Sequence, residues 1–561
     1  MAIHDGGSNS ASGRRPRDMR YGAAVAAGIG VALFLSVMPL IPPQPLAVDA
    51  DPVEYSAERA IEHVRVVARE SHPMGSKASA GVRSYIVEAL SDMGLDPELQ
   101  SVVAADYFGD PGNTVDVINL MARIPGTDST GAVLLMGHYD TEPGSPGAND
   151  NATAVATLLE TARALLAGED LRNDVILLFT DGEEPAPRYG SVAFVSGHPW
   201  MDDVGFVLNF EAIGGSGPSV MIELSGPGRS MIDRYAAVVP SPAAYSLITE
   251  VNRVIGGSNT DFSKFRDAGV AGFDFAYIHG SPIYHTPADD VESVSLRSLQ
   301  HHGSNALSLS RHFGTLDLAG PTDDGEVVFF TAAGSWVVRY PASWALPFAI
   351  LIAIGFVAAA GRRPVRRLLS GAGIVLSAVL AGTVVSSVIW WLLTGVRRTP
   401  GMWESYLYLA VLLTVGASVL IFLMRRSGRR SGSADPAGGA VLIWVGLAVL
   451  TGATLPGAGY LFALPALAGV VVLGTPADGA VRPFGLLRTL AVAVPTLVVL
   501  VPTMDFFFQF AQPRPGNLDS EVTSLISITL FFGLLAGALF RPLWVASDAS
   551  GAAGLRSSVT D

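Results

Sequence analysis

Five short motifs rich in acids and histidine follow one another along the first half of the chain. They are Gly137-His138-Tyr139-Asp140, Gly147-Ala148-Asn149-Asp150-Asn151, Asp181-Gly182-Glu183-Glu184, Asn209-Phe210-Glu211-Ala212 and Tyr284-His285-Thr286-Pro287. Most stand at or just after an apolar run that reads as a strand, where an α/β sheet presents its ligands. Together they offer two histidines, several carboxylates and one spare glutamate. That inventory suits a pair of zinc ions that activate a water.

Each motif has a plainer reading beside the chemical one. His138 and Asp140 end the apolar run 133–136, and alternation along an extended chain puts them on one side. His138 can then bind metal while Asp140 accepts its other ring proton, although His-x-Asp alone is a common surface strand end. Asp150 lies in a Gly- and Asn-rich loop that runs into a helix from Ala152. A carboxylate there can bridge two cations or cap the helix, and Asn151 can take the capping role instead. Glu183 and Glu184 follow the apolar run 175–180. Adjacent carboxylates at a buried strand end are costly unless cations share them, so one reads as a ligand and the other as a proton shuttle. Glu211 ends another apolar run, and His285 sits between Ile283-Tyr284 and Thr286-Pro287. No single motif decides the matter; their co-occurrence in order points to a metal site.

The elements that must position these residues alternate between helix and strand. Apolar residues recur at helical spacing over 57–68 and 80–93, and 152–167 reads as a helix. Strands are expected over 115–124, 131–137, 174–180 and 206–210. Alternation of this kind implies an α/β domain over 51–318, a mixed sheet with helices on both faces. A β-hairpin is expected over 326–340, turning at Ala333-Gly334.

The 561 residues divide sharply in composition. Most acids lie before about Tyr340; the remainder is rich in Gly, Ala, Val and Leu, and only 15% of all residues are charged. The net charge of −14 argues against a nucleic-acid partner. With no cysteine, thiolate metal sites, disulfides and cysteine nucleophiles are excluded, so any metal must be held by His, Asp and Glu. Residues 1–20 read as a disordered cytoplasmic tail and 21–41 as a membrane anchor, ended by Pro42, Pro43 and Pro45; a cleaved signal peptide is the rival reading. Seven apolar spans follow the hairpin, at about 343–360, 371–395, 404–424, 439–455, 457–474, 485–504 and 521–540, with a break at Pro456-Gly457 that could hide a re-entrant pair. This makes 343–540 a polytopic all-α transmembrane region in a lipid bilayer, with 541–561 as a second cytoplasmic tail. Arginines before Tyr21 and at 362–367, 425–430 and 541 all fall inside if the N-terminus is inside; Arg397 and Arg398 dissent. The expectation is a multi-pass cell-membrane protein with both termini cytoplasmic and the α/β domain on the other side. Glu404, Asp505 and Glu521 are expected at span ends, which speaks against a transport site.

The ordered motif set resembles peptidase family M28, the dizinc exopeptidases of aminopeptidase type, over about Ala57 to His312. Phe210-Glu211-Ala212, the segment Ser71-His72-Pro73-Met74-Gly75-Ser76 and the polytopic region resemble a narrower, membrane-embedded branch, that of the vacuolar-membrane and endoplasmic-reticulum M28 peptidases. The resemblance implies two zinc ions per chain and a peptide substrate. It implies that His138 and Glu211 hold one zinc and Glu184 and His285 the other, with Asp150 between them. Glu183 would be the general base and Asp140 would orient His138. Tyr284 and residues 259–262, including Asn259 and Asp261, are expected to line the pocket. Pro185 and residues 186–189 depart from the Gly-rich stretch that many members carry there, which bears on pocket shape. A single-zinc glutaminyl-cyclase-like enzyme, a non-catalytic receptor domain and a transporter-associated domain are the alternatives.

Overall fold

The computed structural model of the chain describes residues 16–105, 112–184, 188–318, 325–361, 363–394, 402–430, 434–475, 482–512 and 521–539. The expected tail 541–561, most of the tail 1–20, and Pro185 with Ala186 lie outside these residues. A seven-stranded sheet forms the middle of the first domain: β1 (Glu98–Ala105), β2 (Thr114–Ile124), β3 (Ala132–His138), β4 (Val175–Thr180), β5 (Val204–Ala212), β6 (Val220–Ser225) and β7 (Gly272–Tyr277). Their order is β1-β2-β4-β3-β5-β7-β6. β4, β3, β5 and β7 run parallel, and β2 and β6 flank them antiparallel.

The central strands are buried at nearly every position because the sheet is covered on both faces, and polar residues enter them mainly toward the ends that carry the site. In β4, Val175, Leu177 and Phe179 point into one core while Ile176 and Leu178 point into the other. The helices Ala57–Val67, Thr153–Leu166 and Leu296–Phe313 pack together over the first face, and Tyr189–Gly197 with Phe262–Asp267 cover the second. This is the mixed α/β sheet that the alternation implies.

Three strands, β1, β6 and β7, escape the sequence pattern. β1 is an edge strand whose Leu99 and Val103 are exposed, while β6 and β7 each carry a buried acid, Glu223 and Asp274. The helix expected from Ala80 begins at Lys77, because the Ser76 side chain caps it by accepting from the Ser79 N–H. The described part of the expected N-terminal tail is helical, since the first helix already begins at Pro16 and runs to Val37.

After a hairpin of β8 (Val327–Ala332) and β9 (Trp336–Pro341), which turns through positive φ at Ala333 and Gly334, seven helices follow among the described residues. They are Ala345–Ala360, Val365–Thr394, Met402–Arg430, Pro436–Thr454, Gly459–Gly474, Arg482–Phe510 and Glu521–Leu539. Among the described residues, six stretches are long and apolar enough to cross a membrane; Ile526–Leu539 and Ala26–Leu40 are shorter apolar helices. The stretches 436–454 and 456–474 count separately, so length gives no reason to fold them into a re-entrant pair. Asp505 is not at a helix end: its helix continues to Phe510, and the side chain is buried. The α/β domain and the helical bundle share one hydrophobic core, in which Ile222, Tyr245, Ile248 and Ile278 meet Val441, Trp444 and Tyr460. Phe330 of β8 stacks on Tyr460 with ring centroids 4.4 Å apart.

Candidate metal centre

Sheet topology gathers the motifs. β4, β3 and β5 are parallel neighbours, so their C-terminal ends lie along one edge. His138 is the last residue of β3, Glu183 and Glu184 follow β4, and Glu211 is the penultimate residue of β5. Asp150 comes from the loop between β3 and the helix Thr153–Leu166, and His285 from the loop after β7. Gly182 holds the turn after β4 at φ +72; a Cβ there would meet Met74 Sδ at 2.5 Å.

The two oxygens of Asp150 face different histidines. His138 Nε2 lies 3.2 Å from Asp150 Oδ1 and 3.5 Å from Glu211 Oε2. His285 Nε2 lies 3.3 Å from Asp150 Oδ2 and 3.0 Å from Glu184 Oε2. Two atoms each bound about 2.0 Å from a tetrahedral ion stand roughly 3.3 Å apart, so both groups have the edge lengths that zinc requires. His285 Nε2 has the Asp150 and Glu184 carboxylates beside it, and the buried Glu184 Oε1 has no hydrogen-bond partner, which leaves that oxygen unspent. An all-oxygen-and-imidazole donor set with unspent lone pairs fits zinc. Ligand atoms of His138, Asp150 and Glu184 lie within 4.8 Å of one another, and those of Glu142, Glu184 and His285 do likewise.

The electrostatics show how unfavourable the bare cluster is. Burial pushes the Glu183 carboxyl well above the usual range, and the Glu211 charge adds to this while His138 and Arg188 oppose it. Burial, with the Asp150 charge, takes Glu184 up to about 8. Burial alone would lower His138, yet Glu211, Asp140 and Asp150 outweigh it and hold the ring well above its usual value. His285 is likewise raised to about 10, against burial, by Asp150 and Glu184. Asp150 moves the other way: burial would raise it, but the hydrogen bonds of the two histidines bring it down. Protons on the histidines and glutamates supply the positive charge that a cation would otherwise bring.

Neighbouring residues differ from the sequence reading in three respects. His138 Nδ1 meets the backbone carbonyl of Asp140 at 3.0 Å, and the Asp140 carboxylate stands 3.5 Å away. That carboxylate accepts instead from the backbone N–H of Glu183 and Glu184, at 3.1 and 3.3 Å. Asn151 does not cap the following helix; its amide donates to Phe210 O and Glu211 Oε2. Asp261 is fully buried, its carboxylate accepting from Thr180 Oγ1 at 2.5 Å, and is not exposed on its loop. Asn259 is exposed on the same loop, and Tyr284 stacks on the His285 ring at 3.7 Å.

Other residues take supporting roles that the sequence reading did not give them. Arg188 Nε donates to Glu183 Oε1 at 3.0 Å, and the same guanidinium reaches Asn259 O. Asp289 accepts from the backbone N–H of Asn149 and Asp150, which seats the Asp150 loop. Asn209 donates to Glu211 Oε1 and to Asp274. The segment Ser71-His72 braces the loop after Asp140: the His72 N–H donates to Thr141, and Ser71 Oγ accepts from the Gly144 N–H.

Residues 119–310 match the profile of Peptidase family M28. Endoplasmic reticulum metallopeptidase 1 of Rattus norvegicus is 29% identical over 343 residues, 57% of this chain and 38% of that protein. The vacuolar membrane protease of Candida dubliniensis is 32% identical over 257 residues, 44% of this chain and 27% of that protein. The chain therefore spans less than half the length of these curated relatives. Among solved structures, a Zn-dependent exopeptidase from Parabacteroides distasonis aligns with TM-score 0.38 and 15% identity, over 46% of this chain and 98% of that one. A glutaminyl cyclase of Porphyromonas gingivalis aligns with TM-score 0.38 and 17% identity over the same shares.

Proposed function

We propose that the chain, which carries a peptidase family M28 domain joined to apolar helices of membrane-spanning length, is a membrane-embedded aminopeptidase with two zinc ions per chain. The observation that carries the dinuclear reading is Asp150, whose two oxygens face two separate histidines, each with its own further carboxylate. His138 and Glu211 would hold one ion, His285 and Glu184 the other, and Asp150 both. When bound, the ions supply Lewis acidity, which acidifies water and polarises a scissile carbonyl.

The remaining work falls to the chain's own groups. Glu183 lies beside the cluster without a place in either group of three, so it takes the proton from water and returns it to the leaving amine. Its partner Arg188 keeps part of its population ionised against the cost of burial. Asp140 orients both halves: its carbonyl fixes the His138 ring and its carboxylate fixes the turn of Glu183 and Glu184. Peptide substrates would enter past Tyr284 and Asn259.

The membrane orientation follows from charge. Arg363 pairs with Asp435 at the end of the bundle remote from the α/β domain, whereas Gly457, at the other end, accepts from Ser246 of that domain. Arginine-rich ends face the cytoplasm, so the peptidase domain faces away from it. The test is to purify the full chain in detergent, measure bound zinc, and assay aminoacyl and N-blocked peptides with and without chelator. Two zinc ions with activity confined to free N-termini is the expected result. One ion per fully active chain would end the dinuclear reading, and turnover of N-blocked peptides would end the aminopeptidase one.

A further inference from the structure

The loop that brings His285 into the centre does not rest on the α/β domain alone. It leaves β7 at Tyr277 and passes through His279, Gly280 and Ser281 before reaching Tyr284 and His285. His279 Nε2 meets Asp505 Oδ2 at 2.8 Å, and Asp505 belongs to the apolar helix Arg482–Phe510. The other carboxylate oxygen of Asp505 accepts from Tyr406 Oη, on the helix Met402–Arg430, at 2.7 Å. Ser281 Oγ donates to Gln509 O one turn further along, at 3.0 Å. Both loop residues are buried at this seam.

The same histidine also holds the other half of the centre. Its backbone exchanges two hydrogen bonds with Ser216, His279 N–H to Ser216 O at 2.9 Å and Ser216 N–H to His279 O at 3.0 Å. Ser216 lies in the turn that follows Glu211 at the end of β5. The ring packs over Gly217, which stands at φ +101 and where a Cβ would fall 2.6 Å from His279 Cγ. His279 therefore links the segments carrying Glu211 and His285, through its backbone to Ser216 and its ring over Gly217, and the ring's only hydrogen bond among the described residues is to Asp505.

A carboxylate on an apolar membrane helix is expensive and persists where it has a task. Here its two oxygens are spent on a tyrosine of a neighbouring membrane helix and a histidine of the peptidase domain. We infer that Asp505 is a positioning residue for the metal centre: through His279 it fixes the loops of His285 and Glu211, so that the membrane bundle is a structural part of the active site. This rests on the zinc reading given above. Partners behind metal ligands typically change metal affinity about 10–100-fold when removed. Asp505 acts one step further out, so the low end of that range applies.

The test uses the full chain in detergent and compares zinc release to a chromogenic chelator, together with the visible spectrum of the cobalt-substituted protein. Asp505→Leu should release zinc on the order of ten times faster and alter the cobalt bands. Asp505→Asn, which keeps an acceptor oxygen for the imidazole N–H, should stay within about threefold of the parent. Wild-type release and an unchanged cobalt spectrum in Asp505→Leu would overturn the inference. If that variant does not assemble, His279→Leu removes the same bond and decides the matter in the same way. His285→Ala separates the two readings: if it still retains the full zinc complement, the zinc assignment fails; if it loses zinc while Asp505→Leu does not, only the positioning role fails.

Discussion

Asp140 accepts the backbone N–H of Glu183 at 3.1 Å, so the acid at the end of β3 fixes the turn that carries the candidate general base after β4. The Glu184 N–H joins the same carboxylate, and the Asp140 carbonyl meets His138 Nδ1. Asp140→Ala strands two buried N–H groups and frees the turn. Activity should fall about 10–100-fold with weaker zinc retention, and Asp140→Asn, which keeps one acceptor oxygen, should lose less. Steady-state kinetics and zinc titration read both; wild-type behaviour of the alanine variant removes Asp140 from the argument.

Glu183→Gln keeps the shape of the side chain and abolishes its basicity. Turnover should drop by roughly 10²–10⁴ while the zinc content stays that of the parent. A variant that turns over normally, or one that has lost its zinc, would show that Glu183 is not the proton shuttle.

Arg188 opposes the burial that raises Glu183, so its removal raises that carboxyl further. A base whose pKa rises is protonated over a wider acidic range, and Arg188→Met should therefore shift the acid limb of kcat/KM to higher pH. Activity at pH 6 should suffer more than activity at pH 8. An unmoved limb would mean that the ion pair has no bearing on the base.

His301 lies buried in the helix Leu296–Phe313, its Nδ1 accepting from the Ser219 N–H while Nε2 donates to Ser241 O. Burial lowers its pKa to about 4, against the ordinary 6.5. The unfolded chain binds this proton first, so the stability is fully present above pH 6.5 and is lost as pH falls towards 4, by about 1.4 kcal/mol per pH unit. Below pH 6 thermal unfolding should show this slope added to that of the neighbouring His302, which burial also lowers, and the slope should be shallower in His301→Asn. Equal slopes would assign the loss to other groups.

The chain contains no cysteine, so single introduced thiols report sidedness without background. In intact cells a membrane-impermeant maleimide should label Asp92→Cys, on the exposed surface of the peptidase domain, and should reach Arg366→Cys only after permeabilisation. The reverse pattern would invert the topology.

The central fold is legible in the sequence because β3 and β4 open with unbroken apolar runs, 132–136 and 175–179, as strands covered on both faces do. β1, β6 and β7 are not: exposed Leu99 and Val103 on an edge, and buried Glu223 and Asp274 within strands, break the period that identifies a strand. The candidate ligands could be named because acids and histidines at apolar strand ends stand out locally. Their supporting residues could not. Asp289 seats the Asp150 loop across a separation of 139 residues, and no local pattern announces such a contact. The partner of the His138 ring is a backbone carbonyl and not the carboxylate two residues on, a distinction of turn geometry that residue types do not encode.

The shared core of the α/β domain and the helical bundle has a thermodynamic consequence. Ile222, Tyr245, Ile248 and Ile278 are solvated by neither water nor lipid, only by the membrane helices and the β8–β9 hairpin. A fragment cut after Leu318 would expose this apolar face to water and lose the loop anchor at Asp505 in the same stroke. The shared core thus couples unfolding of the α/β domain to unfolding of the bundle. The lipid environment, acting on the bundle, therefore enters the folding free energy of the candidate metal site.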